Sequence, residues 1–296
     1  MKLSVVGLGL IGGSVAKDLR AAGYVDHITG IDLNADHCSK ALELGLVDAV
    51  SDLSKGVEEA DVVLVSIPVN ASVKVIADVL DSTPKKTLVI DTGSTKSLIC
   101  RILKDHPSRH RFVAAHPIAG TENSGPTAAL SGLFRGKTNI ICESDKTDQS
   151  RIDQAMALFE ILGLKTMFMQ AEEHDRHVAY VSHLSHVSSF LLGKTVLDIE
   201  KDEQNIFALA GSGFASTVRL AKSSPEMWAP IFEQNTEHLS QALLEYIMHL
   251  QRFHYFLMKK DTAELTKIMT AANRIRTILD GIEPAHKSSA TPTKNQ

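Results

Sequence analysis

"KLSVVGLGLIGGS", residues 2–14, is the stretch on which the fold turns. A run of aliphatic residues is interrupted by Gly7, Gly9 and Gly12, and "GGSVAKDLRAAG" then carries apolar residues at helical spacing. Glycines also mark ordinary turns, so the strand–turn–helix context carries the reading. In that context the first glycine makes the tight turn and the second lets backbone approach a pyrophosphate. The third lets helix and strand pack closely, while the helix N-terminus offers free N–H groups to the anion. A second strand, "HITGID", ends at Asp32, twenty residues after Gly12. An acid there accepts hydrogen bonds from ribose hydroxyls and repels a 2′-phosphate. No arginine follows in "DLNADH", so NAD is expected rather than NADP. Gly7, Gly9, Leu10, Ile11, Gly12 and Asp32 are the expected cofactor contacts of this loop.

Further along, "DVVLVSIP", "TLVIDTG", "RFVAAHP", "TNIICE" and "KTMFMQ" read as strands, separated by amphipathic pieces such as "DQSRIDQAMALFEILG". Strands alternating with helices, and apolar almost throughout, indicate a mainly parallel sheet covered on both faces. The expected architecture is an α/β doubly wound domain of Rossmann type over residues 1–169, followed by an all-α domain over 170–285. Near Gln170 the pattern changes, and helical periodicity dominates to about Asp280. The acidic "AEEHD" suits a helix N-terminus, where negative charge meets the positive end of the dipole. The next helix is long and mostly apolar, running to about Ile199. Residues 286–296, "HKSSATPTKNQ", are expected to be a disordered tail.

Composition narrows the function. The chain has 296 residues, 44% apolar and 22% charged, with a formal charge of −4. That charge supplies no basic field for nucleic acid or an anionic membrane. Cys38, Cys100 and Cys142 are odd in number and scattered, which argues for reduced thiols in a cytoplasmic protein rather than a disulfide frame or zinc site. The glycines near the start break any signal-peptide helix. No run reaches the ~18 unbroken apolar residues of a membrane span.

Ligands of open α/β sheets bind outside the carboxyl ends of the strands. "SIP" (Ser66, Ile67, Pro68), "DTGSTK" (91–96) and "HPIAG" (116–120) all end strands in this way. They are expected to face the nicotinamide half of the cofactor. His116 finishes its strand in that crevice, and Pro117 stops it. Most of the thirteen histidines should be surface or satisfied core groups. A neutral imidazole at this place, however, can accept the proton of a substrate hydroxyl as hydride leaves the same carbon. Gly120 and Gly125 permit close approach of backbone to a ligand.

Taken in order, "VVGLGLIGGS", "SIP", "DTGSTK", "HPIAGTENSG", "SHLSH" and "GFASTVR…MW" resemble the TyrA family, the prephenate and arogenate dehydrogenases of tyrosine biosynthesis. The resemblance runs to about residue 280. It implies NAD-dependent oxidative decarboxylation of prephenate to 4-hydroxyphenylpyruvate, with hydride leaving C4 and the ring carboxylate leaving as CO2. It makes His116 the group that polarises the 4-hydroxyl, and Ser94 a hydrogen-bonding partner of that hydroxyl or of the histidine. Arg219 matches the family's carboxylate-binding arginine, and a guanidinium suits a carboxylate through two parallel hydrogen bonds. His186 is placed in the substrate pocket, and Glu122, Gly120 and Ser124 are assigned to the same side. His174 is placed near the cofactor or the domain junction. This chain departs from the pattern where Ser216 replaces an acid, Val218 a threonine and Ser185 a proline.

His174, His177, His183 and His186 invite a metal reading. At about 100° per residue His183 and His186 lie about 60° apart on one helix, while His174 points well away from His183. No metal site is expected. "GKT" at 193–195 lacks the earlier glycine of a phosphate loop. The expected partners are a small-molecule substrate, prephenate or arogenate, and a second copy of the chain bound through the helical domain. The alternatives are an arogenate dehydrogenase and a non-catalytic NAD-binding regulator. His186, often missing from arogenate-specific relatives, tilts the reading to prephenate.

Overall fold

The computed structural model describes residues 1–201 and 206–282. The expected tail at 286–296 lies outside the described residues. Eight strands form one sheet: β1 (Lys2–Val6), β2 (His27–Ile31), β3 (Ala49–Val50), β4 (Val62–Val65), β5 (Leu88–Asp91), β6 (Phe112–Pro117), β7 (Thr138–Cys142) and β8 (Lys165–Met169). Their order is β3-β2-β1-β4-β5-β6-β7-β8. All neighbours pair in parallel except β6 and β7, which run antiparallel. The sequence pattern did not disclose that reversal, nor the two-residue β3. The strand order turns back between β1 and β4, which opens a crevice beyond their carboxyl ends.

The helices of this α/β part are α1 (Leu10–Ala21), α2 (Ala35–Glu43), α3 (Leu53–Val57), α4 (Val69–Ser82), α5 (Ser97–Ile102) and α6 (Gln149–Ile161). Successive residues of a strand point to opposite faces, and both faces are apolar here. Leu3, Val5, Val113 and Ala115 pack with Val15 and Leu19 of α1 and Leu158 of α6. Val6, Val63, Phe112 and Ala114 pack on the other face with Ile76 and Leu80 of α4 and Ile99 of α5. By the same alternation His116 belongs to the Phe112–Ala114 face. Phe112 is wholly buried, and trimming it to alanine is expected to cost about 3–5 kcal/mol.

Every described element after β8 is helical: α7 (Ala171–Val178), α8 (Leu184–Glu200), α9 (Ser212–Thr217), α10 (Pro225–Gln234), α11 (Thr236–Met258), α12 (Thr262–Ala272) and α13 (Ile275–Ile282), with short 3-10 turns at Ile206–Leu209 and Arg219–Lys222. "AEEHD" does begin α7, with Glu172 and Glu173 in its first turn. Between α7 and α8 the chain forms one π-helical segment, Ala179–His183. The chain makes two compact units, Met1–Ser240 and Gln241–Gln296. In the first, α10 fastens to the start of α4 and to the turn after β5 through Gln234, whose Nε2 donates to the Val69 carbonyl at 2.8 Å and whose Oε1 accepts from Thr95 Oγ1 at 2.7 Å. In the second, Leu244, Met248, Leu257, Met258 and Met269 expose much of their apolar surface. Among the described residues no helix is long and apolar enough to cross a membrane.

Candidate active site

The glycine loop has the shape its sequence requires. Gly7 has φ +96°, and a methyl there would lie 2.3 Å from the Ser66 carbonyl oxygen. A methyl on Gly12 would lie 2.1 Å from the Gly7 carbonyl oxygen, whereas one on Gly9 would meet nothing within 4 Å. Strand and helix therefore close around Gly7 and Gly12 and leave open space over Gly9. Gly9 is also the N-cap of α1, and no side chain caps that end, so its first N–H groups remain available to an anion. Leu10 is buried and Ile11 half-buried at the same turn.

Asp32 sits at the end of β2 as expected. Its Oδ2 accepts from the Leu8 N–H and its Oδ1 from the Asn34 N–H, both at 2.9 Å. The carboxylate is thus fixed beside the loop with lone pairs to spare. Its companion His37, whose Nδ1 lies 3.4 Å from Oδ2, was not foreseen. Ser66 and Ile67 are half-buried and Pro68 exposed beyond β4. Thr92 Oγ1 donates to Ser66 Oγ at 2.9 Å, which ties the β4 and β5 ends together. Open loop, uncapped helix end and held acid together fit a dinucleotide.

The ends of β5 and β6 meet α7 in a chain of hydrogen bonds. Nδ1 of His116 lies 2.8 Å from Nε2 of His174, and Nδ1 of His174 lies 2.7 Å from Oδ1 of Asp175. Asp175 in turn accepts the backbone N–H of Lys96 on Oδ1 and that of Ser97 on Oδ2, both at 2.8 Å. The "DTGSTK" turn therefore holds the carboxylate from below. Lys96 itself is fully buried and forms an ion pair with Asp91. Asn235, at the end of α10, donates from Nδ2 to the Asp175 carbonyl at 2.7 Å and lies 3.1 Å from Nδ1 of His183.

Here the helical geometry expected from sequence fails. A regular α-helix puts His174 and His183 about 180° apart. The π-helical segment adds a residue to the turn between them, a feature often found at functional sites. Both histidines are buried, and Asn235 reaches His183 and the backbone next to His174 together.

His116 keeps some contact with solvent, yet protein atoms surround it closely enough that burial drives its pKa well below the usual histidine value. The neighbouring His174, Lys96 and His183 push in the same direction. Burial lowers His174 too, against the opposing pull of Asp175. Burial alone would raise Asp175, but the bonds from His174, Ser97 and Lys96 outweigh it and hold the carboxyl below its normal range. The site is therefore a neutral imidazole pair backed by an anion.

His186 stacks on Trp228 with ring centroids 3.5 Å apart, and its Nδ1 donates to the Ser182 carbonyl at 3.0 Å. Trp228 also meets His183 edge-on at 5.9 Å. Contacts thus run without a break from His186 through Trp228 and His183 to Asn235 and the His116 chain. Arg219 NH1 lies 3.6 Å from Glu122 Oε2, and the charge of Arg219 reaches His186, whose pKa is lowered first by burial and then by that arginine. Gly120 and Ser124 are exposed in the same loop as Glu122. A hollow of about 360 Å³ beside them is lined by Thr121, Asn123, Ser124 and Thr127. Ser94 is half-buried, and among the described residues it makes no hydrogen bond to His116. No group of three or more His, Cys, Asp or Glu side chains among the described residues could hold a metal.

Sequence reasoning missed Asp175 and Asn235, and it placed Lys96 in "DTGSTK" without a role of its own. Asp175 directly follows His174, but "EEHD" was legible only as an acidic helix start. Asn235 carries no local signal, because its partners lie 52 and 60 positions away.

A nucleotide-binding sheet whose strand ends present a neutral histidine defines the class: a dinucleotide-linked oxidoreductase. Residues 15–168 match the family description "Prephenate dehydrogenase, nucleotide-binding domain", and residues 170–271 match "Prephenate dehydrogenase, dimerization domain". The chain belongs to the prephenate dehydrogenase family. It is 30% identical to the prephenate dehydrogenase of Bacillus subtilis, over 97% of this chain and 77% of that one. Identity to the cyclohexadienyl dehydrogenase of Zymomonas mobilis is 31%, over 94% of this chain and 95% of the relative. The structure of prephenate dehydrogenase from Aquifex aeolicus in complex with hydroxyphenyl propionate and NAD+ superposes with a TM-score of 0.86. That match has 31% identity and covers 94% of this chain and 98% of that one.

Proposed function

We propose that this chain catalyses the NAD-dependent oxidative decarboxylation of prephenate to 4-hydroxyphenylpyruvate. The single observation that carries this reading is the place of His116, half-buried at the carboxyl end of β6 on the ligand side of a dinucleotide-binding sheet, where burial lowers its pKa and favours the uncharged ring. Gly7, Gly9, Leu10, Ile11 and Gly12 hold the pyrophosphate, Asp32 the ribose, and Ser66, Ile67 and Pro68 flank the nicotinamide end. Bound NAD supplies a hydride acceptor. His116 accepts a hydrogen bond from the 4-hydroxyl, which raises electron density on that oxygen as C4 gives up hydride. The bond from the ring to its carboxylate breaks, CO2 departs, and that electron pair completes the aromatic ring. The hydroxyl proton stays with the phenol product. Ser94 orients the same hydroxyl, Arg219 takes a substrate carboxylate, and His186 faces the keto-acid arm. Glu122, Gly120 and Ser124 border that arm.

In this reading residues 1–169 bind nucleotide, and 170–285 complete the substrate pocket and join a second copy of the chain. The apolar surface that α11 and α12 expose in a single chain supports such a dimer. Three free cysteines support a reducing, cytoplasmic setting.

The test is steady-state kinetics on prephenate and arogenate, each with NAD+ and NADP+, followed by NADH or NADPH absorbance. The highest kcat/KM is expected for prephenate with NAD+. A higher value for arogenate would make this an arogenate dehydrogenase. Silence with all four pairs would leave a nucleotide-binding regulator.

A further inference from the structure

We infer that His174 and Asp175 are positioning residues that fix the His116 ring in its Nδ1–H form and leave its Nε2 lone pair free for the substrate. The inference rests on the proposed role of His116 and adds how that ring is prepared.

The anion sets the pattern of protons. Asp175 accepts two backbone N–H groups, from Lys96 and Ser97, so its carboxylate form is favoured and it can only accept hydrogen bonds. His174 Nδ1, 2.7 Å away, must therefore carry a proton. His174 is wholly buried, and burial favours the uncharged ring, so that proton is its only one. Its Nε2 is then a lone pair. His116 Nδ1 stands 2.8 Å from that lone pair, and two lone pairs do not face one another at a hydrogen-bond distance. The proton lies on His116 Nδ1, and in the neutral ring Nε2 is bare.

The reverse arrangement needs either a protonated Asp175 or a doubly protonated His174 in the buried site. The charged and titratable groups around the pair are Asp175 on α7, Asp91 on β5, Lys96 in the turn after β5, and His183 in the π-helical segment. Lys96 is matched by Asp91, so these neighbours supply no second anion to stabilise an imidazolium. The position follows from sheet parity. His116 shares the face of Phe112 and Ala114, and Ala171 at the start of α7 packs on that face.

A purely structural reading is that this chain of bonds only pins α7 to the strand ends. Nitrogen-15 NMR of the full chain labelled at histidine separates the two, with the His116 signals identified by their loss in His116→Asn. The expected result near pH 7.5 is a protonated Nδ1 and an unprotonated Nε2. His174→Phe removes the acceptor, and kcat should fall about 10- to 100-fold, the usual cost of losing a group that orients a functional histidine. His174→Gln can place a carboxamide oxygen near the lost lone pair and should recover most of that loss together with the Nδ1–H form. An Nε2–H ring in the wild-type protein would overturn the inference, even if neither variant folds. Equal losses in both variants with an unchanged His116 ring would also overturn it, reducing His174 to a brace. A wild-type kcat in His116→Asn sinks the proposed function instead, whatever the ring pattern.

Discussion

His183 accepts a hydrogen bond from Asn235: the amide nitrogen stands 3.1 Å from Nδ1, and an amide nitrogen can only donate. The ring is almost wholly buried, and burial pulls its pKa down to about 4. In the unfolded chain it should titrate near the ordinary value of about 6.5. Between those limits the unfolded state holds a proton that the folded state refuses. Stability from this site is thus complete above about pH 6.5 and is lost as pH falls toward 4, to the order of 3 kcal/mol. His116 and His174 act in the same direction. The urea midpoint should be flat from pH 7 to 8 and should drop from about pH 6.5 to 5. His183→Asn should show a shallower drop; a slope as steep as that of the wild type contradicts the assignment.

The rate should follow His116 with the same sign. A hydrogen-bond acceptor held uncharged by burial stays competent until pH falls below the ordinary histidine range. The kcat/KM profile is expected to be level down to about pH 6.5 and to decline only below it. An acid limb centred above pH 7 would contradict a depressed His116.

Arg219 and Glu122 form an exposed ion pair, which contributes about 0–1 kcal/mol to stability. Arg219→Ala should therefore leave the melting temperature almost unchanged. If the guanidinium binds a substrate carboxylate, its loss should raise KM for prephenate about 10- to 100-fold with a smaller change in kcat. A normal KM would assign the carboxylate to another cation.

Asp32 is held beside the glycine loop by the Leu8 and Asn34 N–H groups. Removing that anion in Asp32→Ala should weaken NAD+ binding, improve NADP+ binding and narrow the ratio of the two affinities. Titration calorimetry with both nucleotides measures this directly. A wild-type protein that already prefers NADP+ would defeat the role given to Asp32.

Much of this was legible in one sequence because the decisive signals are local. Gly7, Gly9, Gly12 and Asp32 state their geometry through spacing, and the strands β1 and β4 to β8 follow from continuous apolar runs. The antiparallel β6–β7 pair was not legible, since an apolar run buried on both faces does not reveal its direction. The histidine cluster was only half legible. His116 is marked by its place at a strand end, but its support from Asp175 depends on contacts 78 and 79 positions apart with the Ser97 and Lys96 N–H groups. The π-helical segment was hidden as well. Nothing in "AYVSH" departs from ordinary helix chemistry, so the phase of His183 relative to His174 emerged only from the fold.

His116 carries the central chemistry, and His116→Asn tests its role most directly. Initial rates with saturating prephenate and NAD+, together with the NAD+ dissociation constant of the same preparation, form the measurement. The expected result is a kcat lowered by about 100- to 10,000-fold with NAD+ affinity within about twofold of the wild type. A kcat equal to that of the wild-type protein would contradict it.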